Sequence, residues 1–202
     1  MGEVREMMQG RLADLSFAAI DFESAGAAVG ETDNPVQIGI VRVEELFGEE
    51  EHYCHYLACS QPIHWRAAKV HGITSAQLAD AKPLRQHWSE VRRLLGKSIV
   101  VGHNLGTERK FLSSFPNHGF GPWLDTLKLA RKVLPDASDY SLGSLCEALG
   151  LTGEIQTLSP NKRWHDAHFD AVASLCLLRY IVKGLQMEQA PLRDLSFALQ
   201  VD

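Results

Sequence analysis

A chain of 202 residues with 45% hydrophobic and 22% charged residues is long enough to bury one core without a metal or disulfide staple, and too apolar for disorder. Its formal net charge of −5 excludes a protein that holds nucleic acid by bulk electrostatics, yet leaves room for an enzyme that grips one strand end at a metal centre. Cys54, Cys59, Cys146 and Cys176 form no CxxC pair and no zinc-ligand spacing, so core or half-buried thiols in a reducing compartment are expected.

In chain order, residues 1–15 read as an N-terminal extension without an apolar signal core, and no apolar run approaches membrane-spanning length. A cytoplasmic protein is expected. Residues 16–184 read as one domain. Phe17 to Phe22 has strand character, Ala27 to Pro35 is a Gly/Asp/Asn loop, and Val36 to Val43 and His52 to Ala58 are two further strands. The connection around Gly48 is acidic and solvated, so the three strands form an antiparallel meander. Ile63 to Gly72 is irregular or a short helix, Ser75 caps another, and Leu84 to Leu95 has helical periodicity. Ser98 to Gly102 is a buried strand. Asn104 caps the helix that carries Glu108, and Trp123 begins a brief strand that enters a helix at Asp125. Ser141 to Leu149 is a helix closed by Gly150. A long helix starts near Asp166, with Ala167, Ala171, Leu175, Leu178 and Val182 on one stripe. Residues 185–202 read as a C-terminal tail, polar beyond Pro191. Strands first, then alternating helix and strand, give an α/β domain with a central mixed sheet, five-stranded and flanked by helices. An apolar helix face serves a core or a second copy equally well, so the oligomeric state stays open.

Two segments carry chemistry. Asp21 and Glu23, two apart on a strand, share one face while Ile20 and Phe22 point into a core. Adjacent carboxylates repel, so a cation is expected between them, and hard divalent ions take oxygen ligands. In Trp164-His-Asp-Ala-His-Phe-Asp-Ala171, His165 sits before the helix start and Asp170 about one turn inside it. That suits a general base on a loop edge and a metal ligand on a rigid turn. His168 reads as a surface histidine, and Lys162 and Arg163 as candidate phosphate contacts.

These residues resemble the DEDDh 3′–5′ exonucleases, in particular the branch typified by the proofreading subunit of bacterial replicative polymerases. Asp21-Phe-Glu23 resembles the first motif, Val101-Gly-His-Asn104 with Glu108 the second, and His165 through Asp170 the third. His71-Gly-Ile-Thr74, Asp125 through Arg131 and Tyr140 through Leu145 also match, all in the family's order. The resemblance implies an RNase H-like fold, two Mg2+ ions (Mn2+ can substitute), and release of nucleoside 5′-monophosphates from single-stranded DNA or RNA 3′ ends. It further implies that Asp21 bridges both ions, Glu23 and Asp170 hold the one carrying the attacking water, Glu108 supports the other, and His165 takes the proton. Ser24, Ala25 and Gly26 would approach the terminal 3′-hydroxyl, His71 and Ile73 would lie beside the terminal base, and His103 and Asn104 would complete the substrate site. A polymerase or repair partner is the expected context. One position departs from the family's His-Asn-x-x-Phe-Asp: this chain has Thr107-Glu108. The alternative is therefore an end-binding module whose catalysis is impaired at Glu108.

Overall fold

The computed structural model describes residues 2–27 and 32–200, so residues 28–31 of the expected Ala27–Pro35 loop lie outside the described residues. The meander forms as β1 (Phe17–Ser24), β2 (Pro35–Val43) and β3 (Glu50–Tyr56), β1 and β3 each antiparallel to β2. On the other side of β1, β4 (Ile99–Gly102) and β5 (Trp123–Asp125) add in parallel. A sixth strand, β6 (Leu199–Gln200), closes that edge antiparallel to β5. The sheet thus has six strands in the order β3-β2-β1-β4-β5-β6, one more than the five predicted.

The extra strand comes from the segment expected to be a polar tail. Leu192, Leu195 and Ala198 recur every third residue along a 3-10 helix, Leu192–Ala198, which puts them on one side, and all three are buried in the main core. The extension joins them: Leu12 is fully buried, its N–H donates to the Ala190 carbonyl at 2.9 Å, and the N–H of Leu192 donates to Gly10 at 3.0 Å. Both termini are therefore packed on the body of residues 16–184. Composition over a short window could not show this, because half the stretch is polar and only its period is apolar. The remaining helix before the sheet is α1 (Gly2–Gln9).

Strand alternation splits the core in two. Phe17 and Ala19 pack with α8 (Ala167–Gly184) on one face, whereas Ala18, Ile20 and Phe22 pack with α3 (Trp88–Leu95) and α4 (Gly106–Leu112) on the other. Continued by two and four residues, the first series brings Asp21 and Glu23 to the α8 side. The helix α8 is apolar nearly all round because α5 (Thr126–Val133), α6 (Leu142–Ala148) and α7 (Thr152–Leu158) cover its far side. The helix α7 was not read from sequence; its seven residues show only Ile155 fully buried. The remaining helix, α2 (Trp65–His71), ends at Gly72, whose φ of 76° permits the left-handed cap.

Side-chain caps mark several of the helix starts. The carboxylate of Asp125 accepts from Leu127 and Lys128, Ser141 from Ser144, and Asp166 from His168. Two predicted caps do not form. The start of α4 lies at Leu105 without a side-chain cap, and Asn104 instead sits at φ 69° with its N–H on the Asp125 carboxylate. Residues 75–80 form turns with i to i+3 bonds, and the Gln77 side chain accepts from both the N–H and the hydroxyl of Thr74. Such local bonds compete with a helix. All four cysteines are free, Cys146 and Cys176 buried and Cys54 and Cys59 half-buried.

Candidate active site

The site is assembled where α8 lands on β2. In the β1–β2 register Asp21 faces Gly39 and Glu23 faces Gln37. A Cβ on Gly39 would lie 2.3 Å from the backbone of Ala167 and His168. Only glycine lets the helix start come that close to the strand. Gln37 then fastens it: its Oε1 accepts from Ala167 N–H and its Nε2 donates to Asp166, both at 3.0 Å. One turn further along α8, Asp170 is brought to the paired carboxylates of β1. Glu108 reaches them from the first turn of α4 and is only 4% exposed. Neither Gln37 nor Gly39 was singled out from sequence. The signal was there, a lone glycine in a β-branched strand, but its meaning depends on which element crosses it.

The carboxyl groups are short of partners. Among the described residues, Glu108 Oε2 and Asp170 Oδ1 are buried without a hydrogen bond. The N–H of His165 donates to Asp170 Oδ2 at 3.2 Å. Burial, then the charges of Asp170, Glu108 and Glu23, hold Asp21 well above the usual carboxylate range. Burial and the charges of Asp170, Asp166 and Glu108 push Glu23 up to about 8. Burial lifts Glu108 to about 7 against a hydrogen bond from its own backbone, and Asp170 to about 7 against the bond from His165. Four carboxyl groups raised together, with two orphaned oxygens, fit a site completed by cations. Glu23, His165 and Asp170 each offer a ligand atom, all within 4.8 Å of one another. A donor set dominated by oxygen suits hard divalent ions.

The histidines divide. His165 is exposed and left-handed at φ 66°. His168, expected at the surface, is 6% exposed, bonded to Ser159 Oγ at 2.7 Å and to His52 Nδ1 at 2.9 Å, and burial holds it down at about 4. The start of α8 turns it under β3, where His52 meets it. Lys162 is likewise committed, 2.9 Å from both Asp166 oxygens, and so is not a free phosphate contact; Arg163 is exposed.

The remaining predicted residues gather around the turn after β1. The Ser24 carbonyl meets His71 Nε2 at 3.1 Å, and His71 Nδ1 accepts from Ile73 N–H at 2.9 Å, so both ring nitrogens are used and Nε2 carries the proton. Ala25 and Ile73 are buried together in a small cluster. Gly26 has φ 71° and packs on His64 and Ala67 of the α2 region. His103 lies apart from this turn: Nδ1 meets Thr126 Oγ1 at 3.0 Å and Nε2 meets the Tyr140 carbonyl at 2.8 Å. Its ring ties β4 to the starts of α5 and α6. Asn104 beside it is exposed.

A mixed sheet flanked by helices, with carboxylates drawn from β1, α4 and α8, defines a nuclease of the RNase H-like fold. The chain belongs to the RNase_T exonuclease family, which it matches over residues 18–178, and within it to the DnaQ-like exonucleases. It is 33% identical over 148 residues to the DNA polymerase III subunit epsilon of Aquifex aeolicus (strain VF5), covering 71% of this chain and 72% of that one. It is 30% identical over 141 residues to a PolC-type DNA polymerase III of Thermotoga petrophila, 67% of this chain but 10% of that polymerase. Among solved structures, Exonuclease X in complex with 5′ overhanging duplex DNA superposes with a TM-score of 0.71 at 25% identity, over 89% of this chain and 99% of that one. The nuclease domain of 3′hExo, a DEDDh family member bound to rAMP, shares the fold with a TM-score of 0.65 at 18% identity, over 87% and 95%.

Proposed function

We propose that this exonuclease is a metal-dependent 3′–5′ enzyme that removes nucleoside 5′-monophosphates from single-stranded 3′ ends. The observation that carries the reading is the cluster of under-bonded carboxyl groups of Asp21, Glu23, Glu108 and Asp170 beside the exposed His165. Asp21, Glu23, Glu108 and Asp170 would hold two Mg2+ or Mn2+ ions, which, when bound, polarise the phosphate and make water acidic enough to attack at neutral pH. His165 is the base. Its ring accepts the proton as the water oxygen bonds to phosphorus, the bond from phosphorus to the 3′ oxygen of the penultimate nucleotide breaks, and that oxygen takes a proton from solvent. The left-handed backbone at His165 is tied by its N–H to Asp170, so base and ligand are positioned by one contact.

Ser24, Ala25 and Gly26 form the turn for the terminal sugar, with Gly26 in the left-handed conformation that glycine takes without strain and its open side filled by His64 and Ala67. Because both nitrogens of His71 are bonded to the backbone, its part is to hold this turn in place, and His71 and Ile73 together lie beside the terminal base. The second reading, an impaired end-binder, gains no specific support: Glu108 is buried, acts electrostatically on Asp21, and so keeps the fourth charge at the cluster. The DNA polymerase III relatives support DNA as the substrate and a polymerase as partner; a repair partner and a cytoplasmic location belong to the same proposal.

Digestion of 5′-labelled and 3′-labelled single-stranded DNA and RNA oligonucleotides with Mg2+, with and without chelator, tests the reading. A ladder that shortens from the 3′ end and stops in chelator is expected. Nicking of circular single strands, shortening from the 5′ end, or activity in excess chelator contradicts it.

A further inference from the structure

Beyond the terminal nucleotide, we propose that the outer face of α2 is a platform for the single-stranded DNA upstream of the 3′ end, with Trp65 stacking on a base. The inference rests on the proposed exonuclease reading. Trp65 is the most exposed large hydrophobic side chain among the described residues, at 65%, and Arg66, Lys69 and Val70 beside it are exposed too. A soluble protein gains nothing in stability from a tryptophan held in water, and Trp65 lies in none of the buried clusters. The Arg66 guanidinium lies 5.2 Å from the centre of the Trp65 ring, a cation stacked on an aromatic face.

The position of α2 points to the substrate. His64, its N-cap, donates its N–H to the Ala25 carbonyl at 2.7 Å, and the side chains of His64 and Ala67 pack against Gly26. The helix is thus fastened to the turn assigned to the terminal sugar, with Trp65 one residue away from that junction. At its other end a Cβ on Gly72 would lie 2.9 Å from the Arg163 guanidinium. Among the described residues Arg66, Lys69 and Arg163 form no ion pair, unlike Lys162. On a chain of net charge −5, Arg66 and Lys69 beside the exposed ring and Arg163 at the far end of α2 give one face of this helix three unpaired cations. Alternating phosphate and base is the ligand that fits it.

The test is equilibrium binding of 3′-hydroxyl DNA oligonucleotides, from dinucleotide to hexanucleotide, in Ca2+ to slow turnover. In wild type, affinity should rise with length. In Trp65→Ala that rise should shrink by roughly 5- to 100-fold, the size of one base stack, and Trp65→Phe should restore part of it. Arg66→Ala/Lys69→Ala should make the slope of log affinity against log salt shallower by about 0.7 for each phosphate that the two cations neutralise in wild type. A Trp65→Ala variant with the full wild-type rise, or one weakened equally at every length, overturns the platform while leaving the exonuclease reading intact. Wild type that binds no 3′ end at all overturns that reading, and the platform with it.

Discussion

Asp166 and Asp170 lie four residues apart at the start of one helix and live in opposite circumstances. Burial pushes the Asp166 carboxyl up, but hydrogen bonds from Lys162 and Gln37, the Lys162 charge and the His168 N–H more than offset it, so it is held below its ordinary value. Asp170 is the more deeply buried of the two, has one backbone hydrogen bond and an orphaned oxygen, and is lifted to about 7. A carboxylate that the chain itself satisfies fastens the fold. One that the chain leaves unsatisfied, beside Asp21, Glu23 and Glu108, is set for a ligand from outside. The two histidines of this turn repeat the contrast, His168 with both nitrogens bonded and His165 exposed.

The largest effect is expected at His165. His165→Ala should lower single-turnover digestion by roughly 10²–10⁴-fold, the usual worth of a positioned base, while metal binding persists. His168→Ala should act through folding instead, because Ser159 and His52 would lose a buried partner. Equal turnover losses with unchanged melting in both variants would erase the distinction.

Next come the unsatisfied carboxylates. Asp170→Asn and Glu108→Gln should each reduce turnover on the order of 10²–10³-fold, as when charge stabilisation at a reacting centre is removed. Neither should lower the metal-free melting temperature, since each removes one member of a self-repelling cluster. Glu108→Asp should also be impaired, because α4 is set for the longer side chain. Wild-type digestion by Glu108→Gln would remove Glu108 from the metal site.

The smallest effect belongs to the satisfied partner. Asp166→Ala removes the cap of α8 and the Lys162 pair, and should cost about 0.5–2 kcal/mol of stability in denaturant unfolding. Any turnover loss should be recovered in part by conditions that stabilise the fold. A loss as large as that of Asp170→Asn without destabilisation would place Asp166 among the metal ligands.

The contrast also marks what the sequence could show. The pairing of Asp21 with Glu23 on one strand face and the placing of His165 and Asp170 at a helix start came from spacing, whereas Glu108 entered only through resemblance to a known family's second motif. The meander, the helix starts at Asp125 and Asp166, the cap at Ser141 and the α8 stripe were legible for local reasons of this kind. Gln37 was not, since Asp166 and Ala167 lie more than a hundred residues away, and His168 owes its burial under β3 to His52 at a similar separation; the Lys162–Asp166 pair is local, four residues apart, and was within reach of the spacing. The 3-10 period of Leu192, Leu195 and Ala198 was too short to stand out from a polar stretch, which hid both the sixth strand and the packing of the termini.

The central claim, that the cluster is built for cations, is tested most directly by melting the protein across pH with and without Mg2+. The carboxyl groups of Glu23, Glu108 and Asp170 bind protons in the folded state up to about 7 or 8, whereas in the unfolded chain they release them near 4. Between those limits the folded state holds more protons, so metal-free stability should fall as pH rises from about 4 to about 8. Mg2+ binds the ionised site and should restore the melting temperature, by more at pH 8 than at pH 5. An Mg2+ effect that is absent, or the same at both pH values, would contradict the account.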